Sequence, residues 1–461
     1  MNPEPIQNVV PPEMLERYLT RQRWFGAQSA EGAEVFGVEV LAQGLPGLVR
    51  LVVDVGGDRY QVILGTRLAD QRPEWLHGHD GAVLGELDSY WAPGLGVSDT
   101  GGRHLVVYDA VFDPELAMTL LQLVAPGTQA LRPRVMGVEQ SNTSIVFDDK
   151  LVLKVFRRLV QGHNPEVEMT EALAAGGFEW IAAPIASLAG AGGHLGIVQP
   201  FLAGGVDGWA LALTSLRDLL AQHDTQQVPV IDFNSPPPMS PDPTGAGADF
   251  SAEAARLGRL TAQMHAALAR AFGSVPAQAD QWADGIATEV AALDPADVEA
   301  AGASQIVADM RQVDPGLALR VHGDYHLGQV MRTDSGWFVL DFEGEPARPI
   351  EARRRPTSPL RDVAGMLRSF HYAAAVASAD RDQAAQDVAH AWENCNRDAF
   401  LEGYLATAAH AGFLPDDRGA VDTLIAAFEL EKAAYELAYE RAHRPHWQSI
   451  PRAALRRLTR R

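Results

Sequence analysis

The sequence predicts an α+β chain in which a β-rich unit, a mixed β/α segment and a mostly helical lobe follow one another. Three observations lead there. Short β-like runs separated by Gly- and Pro-containing turns fill residues 1–100. A second group of such runs, with one helical stretch among them, occupies residues 101–206. From residue 207 to 461 apolar residues recur at three- and four-residue spacing, the period of an amphipathic helix.

PPEMLERYLTRQRWFG opens the chain as a short helix. VFGVEVLAQ, LVRLVVDVGG and RYQVILGTRL then read as strands, being rich in β-branched residues and bounded by glycines. RHLVVYDAVF, SNTSIVFDDKLVLKVFRRL and HLGIVQPFLAG continue the pattern, and VEMTEALAAGGF between the last two has helical composition and stops on glycines. WALALTSLRDLLAQH and SAEAARLGRLTAQMHAALARAF are helices. The Pro-, Gly- and Ser-rich VPVIDFNSPPPMSPDPTGAGADF between them reads as a surface loop, and no internal repeat is evident.

Of the 461 residues, 47% are apolar and 21% charged, a globular balance. A formal charge of −21 disfavours nucleic acid and anionic membranes as partners, which would be repelled at long range. An anionic substrate then needs a local cation or a metal. The single cysteine, Cys395, excludes an internal disulfide framework and fits a reducing compartment. MNPEPIQNVVPPEML carries neither a basic leader nor an apolar core, and no apolar run approaches the roughly 18 residues of a membrane span. A cytoplasmic protein is the expectation.

Chemistry concentrates in HGDYHLGQVMRTDSGWFVLDFEGEP, residues 322–346. Asp324 stands five positions before Gln329 and seventeen before Asp341, with a strand-like GWFVL delivering the second aspartate. Protein-kinase catalytic loops follow H-R-D-x-x-x-x-N with D-F-G downstream; the first Asp takes the acceptor's proton, and the Asn and second Asp hold magnesium. Here Gln329 occupies the asparagine place and DFE the place of DFG. Phosphoryl transfer asks for position and charge neutralisation, and Mg²⁺ asks for oxygen ligands. Asp324 would be the base, with Gln329, Asp341 and Glu343 as oxygen ligands around Mg²⁺. A transition-metal site would want His and Cys at ligand spacing, and only His322 and His326 are present. The two carboxylates by themselves leave a glycosidase pair open, because their separation in space is not readable. Three roles in order at the kinase offsets favour phosphoryl transfer.

Such an enzyme also needs a strand lysine for the ATP phosphates and a helix glutamate to pair with it. Lys154 in V-L-K-V matches, since a mid-strand lysine is costly unless paired; the bland alternative is a solvent-facing lysine on an edge strand. Glu168 or Glu171 is the expected partner, Glu168 preferred. Neither G-x-G-x-x-G nor a Walker A motif precedes it, but Ser141, Asn142, Thr143 and Ser144 lie at the preceding turn, where hydroxyl and N–H groups could face phosphates. The glycine-rich AGAGGHLG leads into no helix and reads as a hairpin turn. Gln199, Phe201 and Leu202, where the chain leaves IVQPF, are the expected hinge for an adenine ring. Asp362, at the start of a helix in SPLRDVAGMLRSFHYAA, suits an N-cap or a brace for the catalytic loop. Lys432, Tyr435, Glu436 and Tyr439 share one face of a helix and suit a sugar, whose apolar faces stack while its hydroxyls are bonded. A half-buried helix with satisfied tyrosines would look the same. Trp447, just beyond, would be a further stacking wall or an anchor.

The long 322–375 segment, together with RQRWFG, QSNTSIVF, LKVFRR and EKAAYELAYERAHRPHWQSIP, resembles the actinobacterial maltokinases over nearly the whole chain. The resemblance implies a bilobal eukaryotic-protein-kinase-like, aminoglycoside-phosphotransferase-like fold with an additional β-rich N-terminal cap and a mostly helical C-terminal lobe. It implies ATP- and Mg²⁺-dependent phosphorylation of maltose at its anomeric hydroxyl for α-glucan synthesis, often beside trehalose synthase. It carries the base onto Asp324, the metal ligands onto Gln329 and Asp341 with Glu343 assisting, the phosphate lysine onto Lys154, and sugar contacts onto His326, Lys432, Tyr435, Glu436 and Tyr439. Relatives often carry a lysine shortly after RWF, where this chain has Gln28, a departure that concerns the cap rather than the chemistry. A glucosamine kinase is the nearest alternative, its amino group served by Asn396, Asp398, Glu402 and Tyr404. An idle scaffold for a glucan enzyme is a third reading, and the filled carboxylate and lysine positions argue against it.

Overall fold

The computed structural model describes residues 9–27, 29–136, 142–190, 192–226, 249–345 and 348–460. Gln28, Ser141 and most of the Pro-rich segment, residues 227–248, lie outside the described residues. The chain divides into two compact units, Met1–Glu171 with Ala182–Ala203, and Ala172–Ile181 with Gly204–Arg461.

The first unit holds two antiparallel sheets. After α1 (Pro12–Leu19) come β1 (Glu34–Ala42), β2 (Gly47–Val55), β3 (Asp58–Leu68), β4 (Val83–Leu87) and β5 (Leu105–Asp109), ordered β1-β2-β3-β5-β4. Then follow α2 (Pro114–Val124), β6 (Pro133–Val135), β7 (Asn142–Phe147), β8 (Leu151–Phe156), β9 (Arg158–Leu159), α3 (Pro165–Ala175), β10 (Ala186–Gly190) and β11 (Gly193–Pro200). The second sheet runs β10-β11-β8-β7-β6, while β9 crosses back to pair with β3. β2 is a nearly continuous apolar run because both its faces are covered. Val49, Leu51 and Val53 pack with α1 and Trp24, whereas Leu48 on the opposite face joins α2 and the second sheet around Ile145, Leu153 and Val155. The glycine-rich stretch is the β10–β11 hairpin, as expected.

The second unit is mostly helical. It contains β12 (Val206–Asp207), α4 (Gly208–Gln226), α5 (Ser251–Phe272), β13 (Ser274–Pro276), α6 (Ala279–Ala291), α7 (Ala300–Met310) and β14 (Leu317–Leu319). β15 (Val330–Thr333), β16 (Gly336–Val339), α8 (Ile350–Arg354), α9 (Leu360–Ser378), α10 (Gln383–Ala408), α11 (Arg418–His443) and α12 (Ser449–Thr459) complete it. The amphipathic stretch 251–272 is α5, one helix from end to end. α5 and α10 touch backbone to backbone: a Cβ at Gly258 would run into the Phe400 carbonyl oxygen, and one at Gly403 into that of Ala255. β12-β15-β16 form a small sheet that presents residues 322–343.

Candidate active site

In the second unit, residues 320–326 leave β14 as a loop held from beneath by α9. Asp362 Oδ2 accepts from the His322 backbone N–H (2.8 Å) and Oδ1 from that of Gly323 (2.9 Å). His265 on α5 donates through Nε2 to the same carboxylate (3.0 Å), and its Nδ1 faces the Tyr404 hydroxyl (3.0 Å). Burial alone would raise the Asp362 carboxyl; the His265 hydrogen bond and charge outweigh it and hold the group below its ordinary value. Asp362 is therefore the brace rather than the cap, since Pro359 precedes the first helical residue of α9. The His322 ring donates from Nε2 to the Leu340 carbonyl (2.8 Å), stitching the loop to the turn that presents Asp341.

The loop and α9 approach so closely that a Cβ at Gly365 would sit 2.6 Å from the Tyr325 carbonyl oxygen. In an ordinary helix Gly→Ala stabilises by about 1 kcal/mol. Here Gly365→Ala is expected to destabilise by about 1–3 kcal/mol through overpacking, read from denaturant unfolding. A stabilised variant would show that the loop has room to move.

Asp324 is only partly covered, its side chain 22% exposed, and Lys432 reaches it from α11. Lys432 Nζ lies 3.4 Å from Asp324 Oδ1 and 2.8 Å from Oε1 of Glu345. Burial would raise the Asp324 carboxyl, but Lys432, then His326 and His322, pull it below its ordinary value, so it is ionised at neutral pH. Burial would likewise lower the Lys432 ammonium; Asp324 and Glu345 overcome that and raise it. His326 Nδ1 accepts from the Gly328 N–H (3.0 Å), capping the turn Leu327–Gln329, which leaves Nε2 carrying the proton 3.9 Å from Asp324 Oδ2. Burial keeps this imidazole below its ordinary value and hence neutral.

Gln329 and Asp341 come together at one point, Nε2 to Oδ2 at 3.3 Å. Asp341 adopts φ +59°, a left-handed backbone that is uncommon outside glycine and that clusters at functional sites. A carboxylate and an amide whose oxygen is brought round by a half-turn make a hard oxygen set that fits Mg²⁺. The Glu343 carbonyl accepts from Arg353 Nη1 (3.3 Å), which anchors the end of the same turn.

In the first unit, Lys154 is centred in β8 between β7 and β11, an interior strand, with Ser144 directly opposite on β7 and Ile197 on β11. Asn142 and Thr143 begin β7. The glutamate paired with Lys154 is Glu166, at 2.6 Å, rather than the preferred Glu168. The reason is helix phase. Asn164 Oδ1 accepts from the Glu166 N–H (2.8 Å) and starts α3 there, and residues two apart lie about 200° apart around a helix. At the expected hinge, Phe201 uses both its backbone groups internally, N–H to Lys150 O (2.8 Å) and C=O from Ala203 N–H (3.0 Å). Gln199 spends its side-chain amide on Ala182 O (2.8 Å), and only Leu202 makes no hydrogen bond among the described residues.

On α11, Lys432, Tyr435 and Tyr439 share a face that runs away from Asp324. Lys432 Nζ lies 5.1 Å from the Tyr435 ring centre, Tyr435 and Tyr439 stack at 6.3 Å, and Tyr439 and His443 at 4.3 Å. Arg444 lies over Tyr439 and Trp447, and Trp447 packs on Tyr372. Glu436, the fourth residue of that expected set, sits toward α9, where its Oε2 accepts from Arg368 Nε (3.0 Å) and Nη2 (2.8 Å). The α10 residues suggested for an amino sugar do not gather either: Asn396 and Tyr404 are buried, Asp398 and Glu402 exposed on the other side. Sequence reasoning missed Glu345, Glu166, His265 and Arg368; only Glu166 carried a signal, the Asn-Pro-Glu start of a helix.

Residues 18–113 match the maltokinase N-terminal cap domain. The chain is 29% identical over 339 residues to a glucosamine kinase of Streptacidiphilus jiangxiensis, covering 69% of this chain and 71% of that protein. To a glucosamine kinase of Mycolicibacterium smegmatis it is 28% identical over 361 residues, 73% and 82% of the two chains. Among solved structures, a glucosamine kinase in complex with glucosamine, ADP and inorganic phosphate aligns with TM-score 0.66 at 23% identity over 99% of each chain. Another crystal form aligns at 0.64 and 23%, over 93% of this chain and 92% of that one. The chain thereby has the fold of these glucosamine kinase structures, an α+β architecture with a β-rich N-terminal cap and a mostly helical C-terminal region.

Proposed function

We propose that this chain is an ATP-dependent sugar kinase that phosphorylates maltose at its anomeric hydroxyl, giving maltose 1-phosphate and ADP and feeding α-glucan synthesis from trehalose. The observation that carries the kinase reading is the braced loop: an ionised Asp324 on the segment held by Asp362, with the Gln329–Asp341 pair beside it on turns joined through the His322–Leu340 hydrogen bond. Asp324 accepts the proton of the attacking hydroxyl as its oxygen bonds to the γ-phosphorus and the bond to ADP breaks. Lys154, held by Glu166, receives the α- and β-phosphates; Asn142, Thr143 and Ser144 line the same hairpin, and Leu202 offers its N–H to the adenine. Gln329, Asp341 and Glu343 would hold Mg²⁺, which when bound neutralises and orients the phosphates.

For the acceptor, the aromatic face of α11 favours a molecule longer than one ring. The seven residue steps from Lys432 to Tyr439 rise about 10 Å, close to the length of two hexoses. Stacking on Tyr435 and Tyr439 with polar contacts from Lys432 and His326 is what a disaccharide asks for. Trehalose synthase is the corresponding partner reading, as a source of maltose.

Glucosamine is the second reading, because the two relatives described above are named glucosamine kinase. Against it, Lys432 already places a cation beside the base, and Glu345 and Glu436 are committed to Lys432 and Arg368. An ammonium in the acceptor would add a like charge there. The deciding experiment offers maltose, glucosamine, glucose and trehalose with Mg²⁺ and ATP, and locates the phosphate in the product by NMR. Maltose 1-phosphate is expected; turnover of glucosamine with none of maltose would replace the acceptor while leaving the kinase reading in place.

A further inference from the structure

Arg157 stands where the strand carrying Lys154 leaves one sheet and enters the other, between the end of β8 at Phe156 and the start of β9 at Arg158. Its side chain is 0% exposed. Nε donates to Thr143 Oγ1 (2.9 Å), Nη2 donates to Asp109 Oδ2 (2.7 Å), and the guanidinium carbon lies 5.0 Å from the centre of the Trp24 ring. The same Asp109 oxygen accepts from the Tyr18 hydroxyl (2.6 Å). Tyr18 and Trp24 belong to the opening helix and the turn after it, and Asp109 ends β5. Arg157 therefore ties residues of the cap to the β7–β8 hairpin through one buried side chain, beside the apolar packing of Leu48 on Ile145 and Leu153. Gln61 of β3 runs beside it, donating from its side chain to the carbonyls of Phe156 (2.8 Å) and Leu195 (2.9 Å) and from its backbone to Arg157 O (2.7 Å).

A buried ion pair is a poor source of net stability, and apolar residues of similar volume often serve as well. What this one supplies is direction. Thr143 is paired with Val155, the neighbour of Lys154, so a hold on Thr143 Oγ1 fixes how the hairpin sits against the cap. We propose that Arg157 is a positioning residue through which the N-terminal cap holds the β7–β8 hairpin, and Lys154 with it, in the pose that receives the phosphates of ATP. The proposal rests on the kinase reading above and gives the cap a task on the nucleotide side. Its signature is an effect on nucleotide affinity that leaves the acceptor sugar untouched.

Thr143→Val, Arg157→Lys and the double variant test it in the full chain, by equilibrium binding of a non-hydrolysable ATP analogue with Mg²⁺, by KM for ATP and for the acceptor, and by Tm. Each single variant is expected to weaken analogue binding about 5- to 20-fold, toward the lower end of what one charge-assisted hydrogen bond contributes, with the acceptor KM within about twofold. The double variant is expected to bind no more weakly than the worse single, because both remove one interaction. Lowered Tm with unchanged analogue affinity would make Arg157 a structural tether and overturn the proposal. If Arg157→Lys fails to fold, Tyr18→Phe, which removes only the hydroxyl on Asp109, carries the test beside Thr143→Val, with an expected loss of about 2- to 5-fold and unchanged affinity again overturning it. A wild-type protein that binds no ATP analogue would remove the kinase reading and the proposal together; wild-type binding with unaltered variants would remove the proposal alone.

Discussion

Asp324→Asn is expected to lower kcat by at least about 10²–10⁴-fold while ATP binding stays within about threefold of wild type. The substitution keeps shape and volume and removes the ability to take a proton. Lys432 keeps Glu345 as its partner at 2.8 Å, so no buried ammonium is stranded and the fold is expected to survive. The loop is fixed by backbone N–H groups of His322 and Gly323 on Asp362, none of which involves the Asp324 carboxylate. Steady-state turnover beside calorimetric titration of ATP measures both quantities. Turnover within about tenfold of wild type would mean that the acceptor hydroxyl loses its proton elsewhere, and Asp324 would then be no more than an orienting group.

What could be read from the chain before its structure was local. The kinase-like spacing lies within twenty-two residues, 322–343, and by itself brought forward Asp324, Gln329 and Asp341, which the structure gathers on one braced loop and the turn stitched to it. α5 was equally legible, because its apolar stripe continues without a break over 251–272. Failures arose where the answer depends on phase or on a distant partner. Glu168 and Glu166 differ by two residues in composition-neutral helix, and only the position of the Asn164 cap decides which one points at Lys154. Glu436 shares the face of Lys432 and Tyr439 in isolation, but α9 occupies one side of that face and Arg368 takes the carboxylate. α10 is polar on several sides, so its inward Asn396 and Tyr404 could not be told from its outward Asp398 and Glu402. His265 with Asp362 and Lys432 with Glu345 are partners 97 and 87 positions apart, which no spacing rule reaches.

Lys432→Met separates a sugar contact from an electrostatic one, and its effect is expected on the pH profile as much as on rate. In the wild type the Asp324 carboxyl is held below its ordinary value of 3.8 chiefly by Lys432 working against burial. The base is thus fully ionised at neutral pH, and the acid limb of kcat/KM due to Asp324 falls below that value. Without the ammonium, burial is the largest influence left, and it raises the carboxyl by disfavouring the charged form. The acid limb therefore moves upward, and activity is lost as pH falls at values where the wild type is unaffected. Well above that limb, loss of one charge-assisted contact predicts a fall in kcat of about 10- to 100-fold. Glu345 also loses one partner but keeps Arg348, already paired with its other oxygen at 2.8 Å, which limits the damage to the fold. Lys432→Arg keeps the charge and is expected to leave the acid limb in place even if the longer side chain disturbs the sugar. Should Lys432→Met raise only the acceptor KM, with the acid limb unmoved, Lys432 would belong to the sugar site and would not be what holds Asp324 ionised.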